Sequence, residues 1–261
     1  MNAISTKAQA TKAQATNAQA AQAQGRAGFS WRSAAATSQG NVREKNEDAV
    51  LERPDVGLWV VADGMGGHNA GGVASAMIVG ALAGLPRCAS PSAQLNELED
   101  RLIEVNDRLY RSSIDNDSGM SGSTLVALLA LERHCLSIWA GDSRAYRNRE
   151  GTLEQITHDH SEEQEMLDNG GSLEAVSSNV ITRAVGGARD LYLDIELREL
   201  RNHDRYLLCS DGLYRELSDA DMAHHLTGND PEGACKALMK QVLSGRCSDN
   251  VSVIVVQFSG L

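Results

Sequence analysis

Positive charge is scarce in this chain. Its 24 Lys and Arg stand against 35 Asp and Glu, a net charge of −11 over 261 residues. That balance excludes a nonspecific nucleic-acid binder, which needs a basic face. No apolar run is long enough to span a bilayer, and no signal-peptide pattern is found, so no membrane association is expected and a cytoplasmic address is. The five cysteines are odd in number and no pair has metal-ligand spacing, which favours buried, reduced thiols over a disulfide framework or a cysteine metal site. Aromatic residues are few, at 4%, within an ordinary soluble composition of 42% apolar and 23% charged residues.

What the chain does have is acids placed beside strand-like runs. Leu58-Trp59-Val60-Val61-Ala62 reads as a buried strand and leads to Asp63-Gly64-Met65-Gly66-Gly67-His68. Taken alone, Asp-Gly is also an ordinary turn. The pattern recurs, however. Ser137-Ile138-Trp139-Ala140-Gly141 leads to Asp142, and Tyr206-Leu207-Leu208-Cys209-Ser210 leads to Asp211-Gly212. Asp249-Asn250 precedes the apolar run at 251–256, and Glu47-Asp48 precedes Ala49-Val50-Leu51. If these strand ends share one edge of a sheet assembly, they form a carboxylate cage, the donor set that Mg²⁺ or Mn²⁺ prefers. Because Asp249 precedes its strand while Asp63, Asp142 and Asp211 follow theirs, convergence requires strands running both ways.

Residues 1–28 form a separate regime. Thr6-Lys7-Ala8-Gln9-Ala10 repeats as Thr11-Lys12-Ala13-Gln14-Ala15 and decays after it, offering no large apolar face, so a mobile tail is expected. The folded part is expected over 29–261. Leu95, Leu98, Leu102, Val105 and Leu109 mark an amphipathic helix with Ser92 as its N-cap. Ser161-Glu162-Glu163-Gln164 has the form of a capping box, and Asp230-Pro231 opens a late helix closed by Gly245. Leu193, Ile195 and Leu197 alternate as a half-buried strand, residues 171–191 read as a surface segment, and residues 251–258 read as a central strand. Short polar turns between strands favour antiparallel sheets with helices outside, an α+β layered sandwich.

Seven motifs then stand in a known order. They are Arg43-Glu44-Lys45-Asn46-Glu47-Asp48, Asp63-Gly64-Met65-Gly66-Gly67, Ser121-Gly122-Ser123-Thr124, Gly141-Asp142-Ser143-Arg144, Ile181-Thr182-Arg183-Ala184-Val185-Gly186, Ser210-Asp211-Gly212-Leu213 and Asp249-Asn250. Together they resemble the metal-dependent serine/threonine protein phosphatases of the protein phosphatase 2C (PPM) family, bacterial branch, over about residues 29–258. The resemblance implies a four-layer αββα sandwich with its metal centre at one edge of two antiparallel sheets. It implies hydrolysis of phosphoserine and phosphothreonine by a metal-bridging hydroxide, with two Mn²⁺ or Mg²⁺ ions tightly bound and a third more weakly. By position, Asp63 would bridge the pair, with the Gly64 carbonyl as a further ligand. Asp211 and Asp249 would complete one shell, Glu47 and Asp48 the other, and Asp142 with Asp211 the third site. Arg43 would grip phosphate bidentately. Residues from about 166 to 182 would form a flap beside the site. Phosphorylated proteins and a cognate Ser/Thr kinase are the implied partners, and the chain is expected to be a monomer.

One departure matters. Eukaryotic members carry a histidine directly after Asp-Gly as a proposed general acid; this chain has Met65 there. His68 is near enough to substitute, and the alternative is a loop histidine hydrogen-bonded for structure, with a metal-bound water as the proton donor. Other chemistries fit the residues less well. A haloacid-type phosphatase with Asp63 as nucleophile wants an acid or threonine shortly after it, where Met65 and Gly66 stand. A cysteine phosphatase wants a glycine-rich loop and an arginine after its thiol, which Cys247-Ser248-Asp249 lacks. A non-catalytic phosphoprotein binder of the same fold would have lost cage acids, and all are present.

Overall fold

In the computed structural model, residues 21–24, 28–66, 70–115, 121–171 and 180–260 are described. The last strand, β12 (Val251–Gly260), is the spine of one sheet. Its first six residues are buried on both faces, as Val-Ser-Val-Ile-Val-Val suggests for a covered central strand. It pairs antiparallel with β2 (Phe29–Ser38) on one side and β11 (Arg205–Cys209) on the other. β1 (Ala21–Gln24), β8 (Arg144–Arg149) and β9 (Thr152–Gln155) complete the order β1-β2-β12-β11-β8-β9. The second sheet runs from Asp194–Glu199 (β10) through His134–Ala140 (β7), Leu125–Leu131 (β6) and Leu58–Gly66 (β4) to Asp48–Arg53 (β3). A short β5 (Ser121–Ser123) pairs with the far end of β4.

Three cores separate four layers. Between the sheets lie Trp31, Trp59, Val126, Tyr206, Ile254 and Phe258. Their rings meet edge to face at 5.8–6.1 Å, a geometry that adds about 0.5–1.5 kcal/mol per pair beyond burial. Outside the second sheet, α1 (Ala70–Ala83) and α2 (Pro91–Asp115) cover Leu58, Val60, Leu125, Ala127, Leu129 and Ile138. Outside the first sheet, α5 (Asp219–Leu226) and α6 (Pro231–Ser244) cover Leu207, Val253 and Val255. The result is the expected αββα sandwich of two antiparallel sheets.

Several local expectations are corrected. The N-cap of α2 is Ser90, whose Oγ accepts from Ala93 N–H at 3.2 Å, because Pro91 takes the first helical position and leaves Ser92 inside the turn. Ala21–Gln24 pairs with residues 30–33 of β2, inside the stretch expected to be a mobile tail; residues 1–20 lie outside the described ones. The alternation of β10 is inverted, with Ile195 and Leu197 exposed. Its other face is drawn inward by ion pairs, Arg198 to Glu196 at 2.9 Å and to Glu154 of β9 at 3.5 Å. The segment after α3 (Glu162–Asp168) is not all surface: Val185 is fully buried and bridges to Ser123. Residues 172–179, in the expected flap, lie outside the described residues.

Candidate metal centre

Asp63 does not end its strand. β4 continues through it to Gly66, because β5 supplies a partner for Gly64, Met65 and Gly66. Glycine is required at 64 for a close approach: a Cβ there would lie 2.1 Å from the Gly71 carbonyl oxygen in the first turn of α1. Asp63 is therefore locked in a ladder, directly opposite Asp48 of β3. Thr124 clasps it from the other side, with Thr124 N–H donating to its carbonyl at 2.8 Å and Asp63 N–H donating to Thr124 Oγ1 at 3.0 Å.

Like charges placed opposite each other across a ladder repel. Burial, then Asp48, Asp211, Asp142 and Asp249, hold the Asp63 carboxyl well above its ordinary range. Burial pushes Asp48 up to about 7, although the Ser252 and Ser210 hydroxyls oppose the shift. Ser210 Oγ donates to Asp48 Oδ2 at 2.8 Å.

The other acids arrive on connections. Asp142 follows β7, and burial followed by Asp211 pushes it up to about 7. Asp211 opens α4 (Asp211–Tyr214), a one-turn helix after β11 that the sequence reading did not anticipate. Asp249 precedes β12, and its Oδ2 accepts from Arg43 Nη2 at 2.7 Å. Glu47 has its N–H bound to Asn250 Oδ1 at 2.9 Å, and its Oε1 accepts from Gly72 N–H at the start of α1. Asn250 also donates to the Gln39 and Lys45 carbonyls, tying the connection that carries Arg43 and Glu47 to the start of β12.

Arg43, Glu47, Asp63, Gly64, Asp142, Asp211 and Asp249 all line one cavity of about 500 Å³. Asp48 lies buried behind it, and His68 is outside the described residues. Among the described residues, no three acids close on one point as a finished coordination shell. The donor set nevertheless fits hard cations: Asp48 Oδ1, Asp142 Oδ1 and Asp211 Oδ1 are buried carboxylate oxygens with no hydrogen-bond partner. The sequence reading missed Arg215, whose Nε lies 2.9 Å from Asp211 Oδ2. Its four-residue spacing from Asp211 was the available signal, usable only once a helix is known to start at Asp211.

Residues 35–242 match the protein phosphatase 2C family. The chain belongs to that family. Within protein phosphatase 2C, the chain is 35% identical over 231 residues to the serine/threonine protein phosphatase PstP of Mycobacterium tuberculosis, covering 86% of this chain and 44% of that protein. It thus spans less than half the length of that relative. The solved structure of PppA, a key regulatory component of T6SS in Pseudomonas aeruginosa, superposes with a TM-score of 0.82 at 39% identity, covering 88% of this chain and 98% of that one. The catalytic domain of PstP in complex with two manganese ions superposes with a TM-score of 0.80 at 34% identity, covering 88% and 99%. No described helix is long and apolar enough to cross a membrane.

Proposed function

We propose that this chain hydrolyses phosphoserine and phosphothreonine in proteins, using Mn²⁺ or Mg²⁺. The observation that carries the reading is the convergence of acids from oppositely running strands on one cavity, with buried carboxylate oxygens left unpartnered beside it. Asp63, the Gly64 carbonyl, Glu47, Asp48, Asp211 and Asp249 would hold two ions, and Asp142 with Asp211 a third. When bound, such a pair supplies Lewis acidity and activates water for in-line attack on phosphorus.

The chain's own residues do the rest. Arg43 stands at the cavity beside Asp249, with its side chain 56% exposed, and a guanidinium there can grip two phosphate oxygens. The ladder around Asp63 fixes the principal carboxylate before substrate arrives. His68 is the candidate proton donor to the leaving oxygen. Residues 29–261 are proposed as the catalytic unit, acting as a cytoplasmic monomer on phosphoproteins made by a cognate Ser/Thr kinase.

The test is release of phosphate from phosphothreonine peptides with Mn²⁺, with and without a chelator. Metal-dependent turnover that disappears in Asp211→Asn supports the reading. Turnover that persists in that variant or in excess chelator contradicts it. His68→Asn should weaken the alkaline limb of the pH–rate profile, and an unchanged profile removes His68 from the scheme.

A further inference from the structure

Two of the acids that line the cavity, Asp142 and Asp211, share one guanidinium. Arg215 Nε lies 2.9 Å from Asp211 Oδ2, and its Nη2 lies 3.7 Å from Asp142 Oδ2. The other oxygen of each acid, Oδ1, is buried without a hydrogen-bond partner. Asp211 and Arg215 sit four residues apart across α4, and Arg215 N–H donates to the Asp211 carbonyl at 3.0 Å, so the backbone fixes the arginine beside the acid. The neighbouring arginine is committed elsewhere: Arg144 donates to both carboxylate oxygens of Asp159 at 2.7–3.1 Å.

We propose that Arg215 is a built-in countercation for Asp142 and Asp211 and sets how tightly a divalent ion binds between them. This rests on the metal-centre reading above and deepens it. A cation entering there meets a resident positive charge within a few ångströms, and must either displace it or bind against its repulsion. Room for displacement exists, because Arg215 also borders a second cavity of about 270 Å³, lined by Tyr214, Glu163, Gln164 and Leu167 among others. Both acids of the third site lie against this arginine, whereas the pair around Asp63 shares only Asp211 with it, so the weakening falls chiefly on the third ion.

The experiment is a Mn²⁺ titration of the full chain by calorimetry, with free Mn²⁺ followed by electron paramagnetic resonance. Arg215→Ala and Arg215→Gln should each tighten the weakest site about ten-fold or more, while Arg215→Lys, which keeps the charge, stays near the parent. Adding Asp142→Asn to Arg215→Ala should erase the gain. A weakest site unchanged or weakened in both neutral variants, with the tighter sites intact and the melting curve cooperative, overturns the proposal. Absence of any Mn²⁺ binding by the parent chain would instead remove the metal-centre reading, and this proposal with it.

Discussion

The acids at this site are held in two different ways. Asp48, buried, and Asp63, half-buried, face each other across the β3–β4 ladder, with hydroxyls rather than arginines as the groups that oppose Asp48's shift. Asp211, Asp142 and Asp249 sit on connections, and each has an arginine within 4 Å. A ladder cannot relax to relieve repulsion, because its hydrogen bonds and packing over-determine the backbone. Connections can, and their side chains meet countercharges. Both groups keep carboxylate oxygens without a hydrogen-bond partner, but the acids on connections have an arginine to offset part of their charge, so the strand pair depends more on an added cation.

Asp63→Asn tests the first half with the largest expected effect. Turnover should fall on the order of 10²–10³-fold or more, while the metal-free protein becomes more heat-stable because a buried, repelled carboxyl is gone. A less stable metal-free variant would break the comparison.

pH offers the next test. Unfolded aspartates release their protons near 3.8, whereas Asp48 in the fold holds its proton up to about 7. Between those values the native state binds more protons than the unfolded state, so this group's contribution to stability falls as pH rises through that window. In chelator, the melting temperature of the parent relative to Asp48→Asn should decline from about pH 4 to about pH 7 and level off above. A difference that is flat or rises would contradict the placement. Mn²⁺ added at a pH above that window should restore stability by binding the native state.

Effects at the rim are smaller. Arg43→Ala should raise KM for a phosphopeptide about ten-fold with a lesser change in kcat, as loss of a charge-assisted phosphate contact would. An unchanged KM would leave Arg43 as a partner of Asp249 alone. Ser210→Ala, which removes the hydroxyl donating to Asp48, should cost about 1–3 kcal/mol of metal-free stability, measured by denaturant unfolding.

Much of this was legible in the chain. Acids flanking apolar runs are the ones that line the cavity, and the opposite order at Asp249 required antiparallel strands, which the registers show. The illegible parts share a cause: they depend on partners distant in sequence. Gly64-Met65-Gly66 reads as a turn until Ser121–Ser123 is seen to pair with it. Ile195 and Leu197 read as buried until β10 is found at an edge with its polar face tied to Glu154. Arg215 carries no signal in the chain until α4 places it beside Asp211.

Anomalous diffraction at the manganese edge, from crystals grown with Mn²⁺, reaches the central claim most directly. Two strong peaks in the cavity, both bonded to the Asp63 carboxylate, are the predicted result. Peaks confined to other surfaces, with Asp63 touching no metal, would contradict the account.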